Sequence, residues 1–428
     1  MPVGAEFMYS RLTLNDLLAI PLTLILALNL NGVFNLWIGV NQAFSGAIFF
    51  LSVALTLNVA KRELRVTPEL LFFIVSITLY LVFGTIYYSH LDSVNQPERY
   101  LRAYASSLLV VFALSIYLAS LSGTERFFQY LGFVRILMLV AASSVLFSPL
   151  LYLVYANPPL SAGYRMGGFF ANPNEAAMVG LMAFILIIGM PFKSKVVQSF
   201  AVLASAVAVV LTFSKTGILL LLLFVVLYVF LYARLWGRVF LSVLIVFSLS
   251  FFIDPSLVLH SILNNTFFEL DQSQQSRVRV MFSVITGDLS EDISTGRSFL
   301  WGFALNKVLD TLPSGSGLGS MHHMVGGLEE FGVWQGAHNA LLMMIGESGF
   351  VPFLFLIASL LTLIARLLRL ERMKVMVCSV AFVLFAEMMV THGALAVRYH
   401  NLMLAVLFGI AIAARNRAWL TADVQGER

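Results

Sequence analysis

The chain has 428 residues, 60% hydrophobic and 11% charged, with a mean hydropathy of +0.91; an average soluble domain is roughly 25% charged, so a soluble globular enzyme is excluded. Length alone would allow about three domains of ~150 residues, but the nearly continuous apolar runs make one bundle of membrane-spanning helices the natural unit. The formal charge of +4 matters through its placement, and no nucleic-acid partner is expected. The single cysteine, Cys378, lies inside an apolar run. That excludes a disulfide framework or a cysteine metal site, and Cys378 reads as a small packing residue.

A spanning helix needs about 20 mostly apolar residues. Such segments are predicted at 14–32, 36–59, 69–88, 103–122, 132–154, 175–192, 196–213, 217–233, 239–253, 350–368, 375–394 and 399–414. The expected fold class is all-α: a polytopic integral membrane protein with twelve transmembrane helices. Met1 to Arg11 has no basic region ahead of an apolar one and no small-residue cleavage site, so no cleavable signal is expected there.

Cytoplasmic loops retain Lys and Arg. With a cytoplasmic N-terminus, seventeen of the 26 basic residues fall on one side, Lys61, Arg126, Arg135, Arg238 and Arg372 among them. The opposite short loops carry Arg99, Arg102, Arg165, Lys215 and Arg398, and one long loop carries Arg277, Arg279, Arg297 and Lys307. Both termini are expected in the cytoplasm and the long loop outside. The same assignment puts all seven histidines at or beyond the outer face, in part because histidine avoids lipid and the outer side owns the long loop.

Two short outer loops have unusual chemistry. Tyr164 to Glu175 contains Arg165, Asn172 and Asn174 around Pro173, and Asn172-Pro173-Asn174 also reads as a helix-starting turn capped by Asn174. Ser214-Lys215-Thr216-Gly217 interrupts an apolar stretch with a cation, which costs a few kcal/mol unless it reaches water or a partner. Lys215 should face a polar cavity or an anion, or else snorkel from a hairpin turn.

Residues 254–336 hold nine acids and four bases, too long a stretch to be a simple connection, and are expected to form a small extramembrane cap. This divides the chain into 1–253 (helices one to nine), 254–336 (the cap) and 337–428 (a re-entrant or interfacial helix with the last three spans). Helical patterning is present at 275–285 and 298–312. The Pro313–Gly319 run, with glycine at 315, 317 and 319, either lets backbone amides approach a ligand or is a flexible turn into the next helix. A helical stretch from Ala340 follows, with His338 and Asn339 at its positive end. There phosphate and a neutral imidazole are both favoured, and the two residues could equally cap the helix. Glu387, buried in an apolar span, is expected to pair with a polar group of a neighbouring helix.

In order and spacing, Arg165 to Asn174, Ser214 to Gly217, Arg297 with Trp301, the glycine run, His338-Asn339 and Glu347-x-Gly349 resemble the bacterial O-antigen ligase family and its polymerase relatives. The family often has arginine where this chain has Lys215, which keeps the charge but loses the bidentate fork toward phosphate. The resemblance implies a glycosyltransferase at the periplasmic face of a Gram-negative inner membrane. It would move a preassembled O-antigen glycan from undecaprenyl diphosphate to a sugar hydroxyl of lipid A–core oligosaccharide, among membrane lipids.

On that reading the diphosphate leaves by direct displacement with inversion, and its charge needs neutralising more than protonating. Lys215, Arg297 and Arg165 would stabilise that charge, His338 would accept the acceptor's proton, and Asn172, Asn174 and Asn339 would bind substrate. Without an Asp-x-Asp pair in a suitable loop, the reaction is expected to need no metal and no cofactor. Arg277, Arg279, His322 and His323 have no assigned role in the reaction; surface pairing of either arginine with Glu269 or Asp271 is one reading. An O-antigen polymerase and a protein O-oligosaccharyltransferase would share these residues. A lipid-linked sugar flippase is disfavoured, because no internal repeat is apparent and most charges cluster at the faces.

Overall fold

A computed structural model describes residues 12–38, 41–59, 66–88, 97–148, 161–162, 165–170, 172–232, 275, 278–279, 297–321, 337–371, 373–391 and 393–415. Within them the fold is helical apart from one two-residue hairpin. The helices are α1 (Leu14–Ala27), α2 (Leu30–Ile38), α3 (Asn41–Val59), α4 (Pro68–Tyr88), α5 (Pro97–Ser120), α6 (Glu125–Ser143), α7 (Pro173–Gly189), α8 (Lys195–Leu211) and α9 (Lys215–Tyr232). They continue as α10 (Arg297–Thr311), α11 (Ala340–Ser348), α12 (Phe350–Leu367), α13 (Lys374–Val390) and α14 (Arg398–Arg415), with strands β1 (Ser161–Ala162) and β2 (Arg165–Met166) before α7.

Eleven expected spans overlap helices, namely α1, α3 to α9 and α12 to α14; the one at 239–253 lies outside the described residues. Among the described residues, four helices are long and apolar enough to cross a membrane, at Pro68–Tyr87, Tyr100–Ser120, Glu125–Ser143 and Phe350–Leu367. The chain has the build of a membrane protein.

Several boundaries differ from the sequence reading: α5 starts at Pro97 where 103 was expected, α6 ends at Ser143 where 154 was expected, and two further differences have a clear cause. The segment expected as one helix at 14–32 is broken at Asn29, whose φ of 48° is a left-handed conformation that asparagine tolerates better than most residues. Helix α6 begins seven residues earlier than expected, because its charges find partners. Arg126 pairs with Asp16, while Arg135 lies 3.9 Å over the Phe192 ring and donates to the Met190 carbonyl at the end of α7. A cation at a helix C-terminus is stabilising.

The core forms around α14, whose residues Tyr399 to Ala413 are buried without interruption, as expected of a helix apolar on all sides. Beside it, α5 adds polar links: Ser115 Oγ donates to the Ala405 carbonyl at 3.2 Å, and Asn401 Nδ2 to Ser107 Oγ at 2.8 Å. Large apolar side chains such as Phe50, Phe200 and Leu361 are exposed on the perimeter, where lipid would cover them.

Side-chain pairs show which helix ends lie together. Asp16, in the first turn of α1, accepts from Tyr117 near the end of α5 and from Arg126 at the start of α6. Glu69 at the start of α4 pairs with Arg366 at the end of α12 at 2.7 Å. At the opposite end the starts of α7 and α9 adjoin: a Cβ on Gly217 would sit 2.6 Å from Ala177 Cβ, so only glycine permits that approach. Helices α3 to α7 therefore alternate in direction along the chain, while α5 and α14 run side by side in the same sense, and the described motif residues of the turns into α7 and α9 and of the glycine run lie at one end.

Candidate functional site

The turn into α7 is held by hydrogen bonds with residues of two other segments, the end of α6 and the turn after α1. The Gly168 amide donates to Ser148 Oγ at 3.2 Å and the Phe169 amide to Ser144 Oγ at 3.0 Å, while Asn29 Nδ2 donates to the Phe169 carbonyl at 3.0 Å. Phe170 packs edge-on against Tyr399 at 5.7 Å. Asn172, not Asn174, caps α7: its Oδ1 accepts from the Asn174 amide at 2.9 Å, and Pro173 occupies the first turn, where a missing N–H costs nothing. Arg165 lies on β2, whose backbone pairs with Ala162 of β1; its side chain is outside the described residues.

Lys215 opens α9 immediately after a turn in which Phe213 has φ 49°. Ser214 Oγ accepts from the Gly217 amide at 3.4 Å, and Lys215 Nζ is buried. The Gly217–Ala177 approach brings the starts of α7 and α9 side by side, so Asn172, Asn174, Glu175 and Lys215 share one locality.

A second group lies against the same end. Glu387 on α13 accepts from the Tyr399 hydroxyl and pairs with His400 Nδ1 at 2.8 Å. This is the neighbouring-helix partner that the sequence led us to expect. His400, expected at or beyond the outer face, stands in the first turn of α14 and is fully buried inside the bundle, because a buried carboxylate needs a donor at its own depth. Glu175 lies within electrostatic range of both Glu387 and Arg398, and Arg398 reaches Asn29 Oδ1 at 3.5 Å.

The third group joins the described part of the cap to the bundle. Leu300, Ala304 and Val308 of α10 pack with Met321, Ala337 and Met343 into a small separate core. The glycine run meets the end of α11: Ser316 N donates to the Gly346 carbonyl at 2.7 Å, Gly317 N to the Glu347 carbonyl at 2.9 Å, and Leu318 N to the Gly84 carbonyl of α4 at 2.8 Å. Its amides thus serve the protein's own carbonyls, which favours the turn over the ligand cradle. Glu347 is fully buried, accepting from Tyr80 Oη and from the Met321 amide at 3.3 Å. Lys307 donates to the Ser320 carbonyl at 2.8 Å; burial pushes its pKa below the usual lysine range, and the nearby Glu347 carboxylate draws it back.

Because α10 and α11 meet at their C-terminal ends, Arg297 and His338-Asn339 lie toward the other end of this pair. Asn339 is the N-cap of α11, its Oδ1 accepting from the Leu341 and Leu342 amides at 3.0 and 3.1 Å. His338 precedes it, half-buried, with φ 46°. The Arg297 side chain, Arg277, His322 and His323 lie outside the described residues. Of the helix expected at 275–285 only residues 275, 278 and 279 are described, all helical, and Arg279 is exposed.

Three contributors escaped the sequence reading. Tyr80 is one of 14 tyrosines with nothing to mark it. Lys307 sits in an ordinary amphipathic pattern. His400 could have been found by looking for a partner for Glu387 one loop away.

A family model described as O-Antigen ligase matches residues 200–357, from α8 through the start of α12, and so takes in Lys215, Arg297, the glycine run, His338 and Glu347. No curated protein matches the chain. Over that part of the chain the match bears out the resemblance carried by the motifs.

Proposed function

We propose that this protein is an O-antigen ligase, a multi-pass inner-membrane glycosyltransferase that transfers glycan from undecaprenyl diphosphate to a hydroxyl of lipid A–core oligosaccharide on the periplasmic side. The observation that carries this reading is the family match over 200–357, joined to the convergence of its motifs on one end of the helical bundle. A polyprenyl-linked donor needs a membrane-embedded protein, and its diphosphate needs cations at the interface.

In the proposed reaction the acceptor oxygen attacks the anomeric carbon as the bond to the diphosphate breaks. His338 takes the proton from that hydroxyl. Lys215, with Arg297 and Arg165, balances the negative charge growing on the leaving diphosphate. Lys215 opens a helix, where the free N–H groups of the first turn add to its positive field. Asn172 and Asn339 use their Oδ1 atoms as caps, which leaves their Nδ2 groups to donate to glycan or phosphate, and Asn174 adds an amide beside them.

The deciding experiment incubates membranes containing the protein with a lipid-linked glycan and lipid A–core, and scores glycan on the core. Glycan that lengthens on the lipid carrier, with none on the core, would replace the ligase by a polymerase. Orientation is checked by reporter fusions, cytoplasmic after Arg238 and Arg372 and periplasmic near Ser290; a cytoplasmic Ser290 overturns the site assignment.

A further inference from the structure

We propose that Glu347 is a positioning residue: its carboxylate holds the Gly315–Met321 segment, and with it α10, against α4, and so sets where Arg297 and His338 stand relative to the bundle. The inference deepens the ligase reading and rests on it only for its effect on transfer.

The environment of Glu347 is specific to a carboxylate. Its side chain is fully buried, yet donors reach it from three segments. The Tyr80 hydroxyl of α4 donates to Oε2, the Met321 amide to Oε1 at 3.3 Å, and the Gly319 amide donates as well, with the Lys307 ammonium of α10 close enough to attract it. Tyr80 is itself held edge-on by Tyr104 of α5, with ring centroids 5.0 Å apart. Burial pushes the Glu347 pKa up, to about 7, and these donors oppose that push; in its ionised form the carboxylate only accepts and satisfies every one of them. A glutamine keeps only one acceptor oxygen, so its NH₂ group must face either the Tyr80 hydroxyl or a backbone amide and one of these donors loses its acceptor, and an alanine would leave all of them without one.

The surrounding backbone is shaped to the same junction. A Cβ on Gly315 would come within 2.6 Å of the Gly349 nitrogen, and both residues have positive φ, 88° and 81°. The segment can lie flat on the end of α11 only because these two positions are glycine. The Glu347 carboxyl is therefore the centre of a junction between α4, α10, α11 and the glycine run. From it, α10 and α11 extend toward the ends that carry Arg297 and His338. A small shift at the junction moves those ends, and misplacement by about 1 Å can cost ~10²-fold in rate.

The test reads docking and transfer separately. A Cβ on Gly84 would lie 3.3 Å from Leu318 Cβ, close to the ~3.5–4.5 Å of a disulfide. The pair Gly84→Cys and Leu318→Cys, in a Cys378→Ser background, reports whether the segment is seated on α4. Rapid oxidative cross-linking is expected in this parent. Adding Glu347→Gln should slow cross-linking by at least about tenfold and lower transfer by about ten- to a hundredfold. Closing the disulfide should restore most of that transfer, because the tether replaces the carboxylate. Cross-linking at the parental rate in Glu347→Gln overturns the proposal, as does transfer that stays lost once the disulfide has closed, since Glu347 would then act on the reacting atoms. Tyr80→Phe, a milder change that leaves the amide donors in place, should slow cross-linking by a smaller factor; a parental rate there also counts against the proposal. Cross-linking needs no substrate, so a parent that cross-links but transfers nothing sinks the ligase reading and leaves the junction standing.

Discussion

The two ends of the bundle bury charge in different ways. At the end where α1, α4 and α6 begin, acids meet bases one to one: Asp16 with Arg126 and Glu69 with Arg366, both acids in the first turn of their helices, where the dipole favours them. At the opposite end, Glu175 and Glu387 share the neighbourhood of Arg398, His400 is held by Glu387, Glu347 sits in a cradle of amides and phenol, and Lys215 Nζ is buried at a helix start. Burying a charge in a membrane protein is expensive on either side. The first end offsets that cost with simple locks between neighbouring helices. The second holds a concentration of polar groups without that one-to-one pairing, and on the proposed reading it is where a charged substrate is handled.

Substitutions should separate the two ends by what they change. The largest effect is expected from His338→Ala, with transfer falling ~10²–10⁴-fold while the protein purifies as a folded species that still binds donor. His338→Gln sharpens this, because a wild-type rate in that variant would reduce His338 to a substrate contact.

Lys215→Ala comes next. Lost contacts to a charged group commonly cost ~1.5–3 kcal/mol, or roughly ten- to a hundredfold in transfer, and Lys215→Arg should keep much of the activity. Near-normal turnover of the alanine variant at equal membrane abundance would remove the cation from the mechanism.

At the other end, Asp16→Asn should show the reverse pattern. It weakens the Arg126 pair and should lower stability against thermal unfolding by ~1–3 kcal/mol, with transfer per folded molecule unchanged. A selective loss of transfer there would erase the distinction between the ends. The smallest effect is expected from excess EDTA, which should leave transfer intact; if activity vanished and returned with Mg²⁺ or Mn²⁺, the leaving-group chemistry would have to be rewritten around a metal-bound diphosphate.

Much of the site was legible before any fold. Lys215 stands out because a lone cation in an apolar run has to be explained. The start of α11 was readable from His338-Asn339 ahead of an apolar stretch, and the structure begins that helix at Ala340 with Asn339 as its cap. The cap of α7 was misread by two residues, since Asn172 and Asn174 flank the same proline and only backbone geometry distinguishes them. The glycine run looked equally suited to a ligand or a turn; its amides turned out to face the carbonyls of α11 and α4.

The sequence by itself determined the membrane class, the order of the helices and the clustering of its motifs near a few loops, because apolar run length and basic-residue placement are properties of contiguous chain. Tertiary structure alone decided the break at Asn29, the early start of α6, and the partners of Glu347 and Glu387. Tyr80 and Glu347 are 267 residues apart in the chain, and nothing local to either one specifies the other. A buried charge takes whichever donor the packing brings to its depth, so its partner is a property of how the helices assemble.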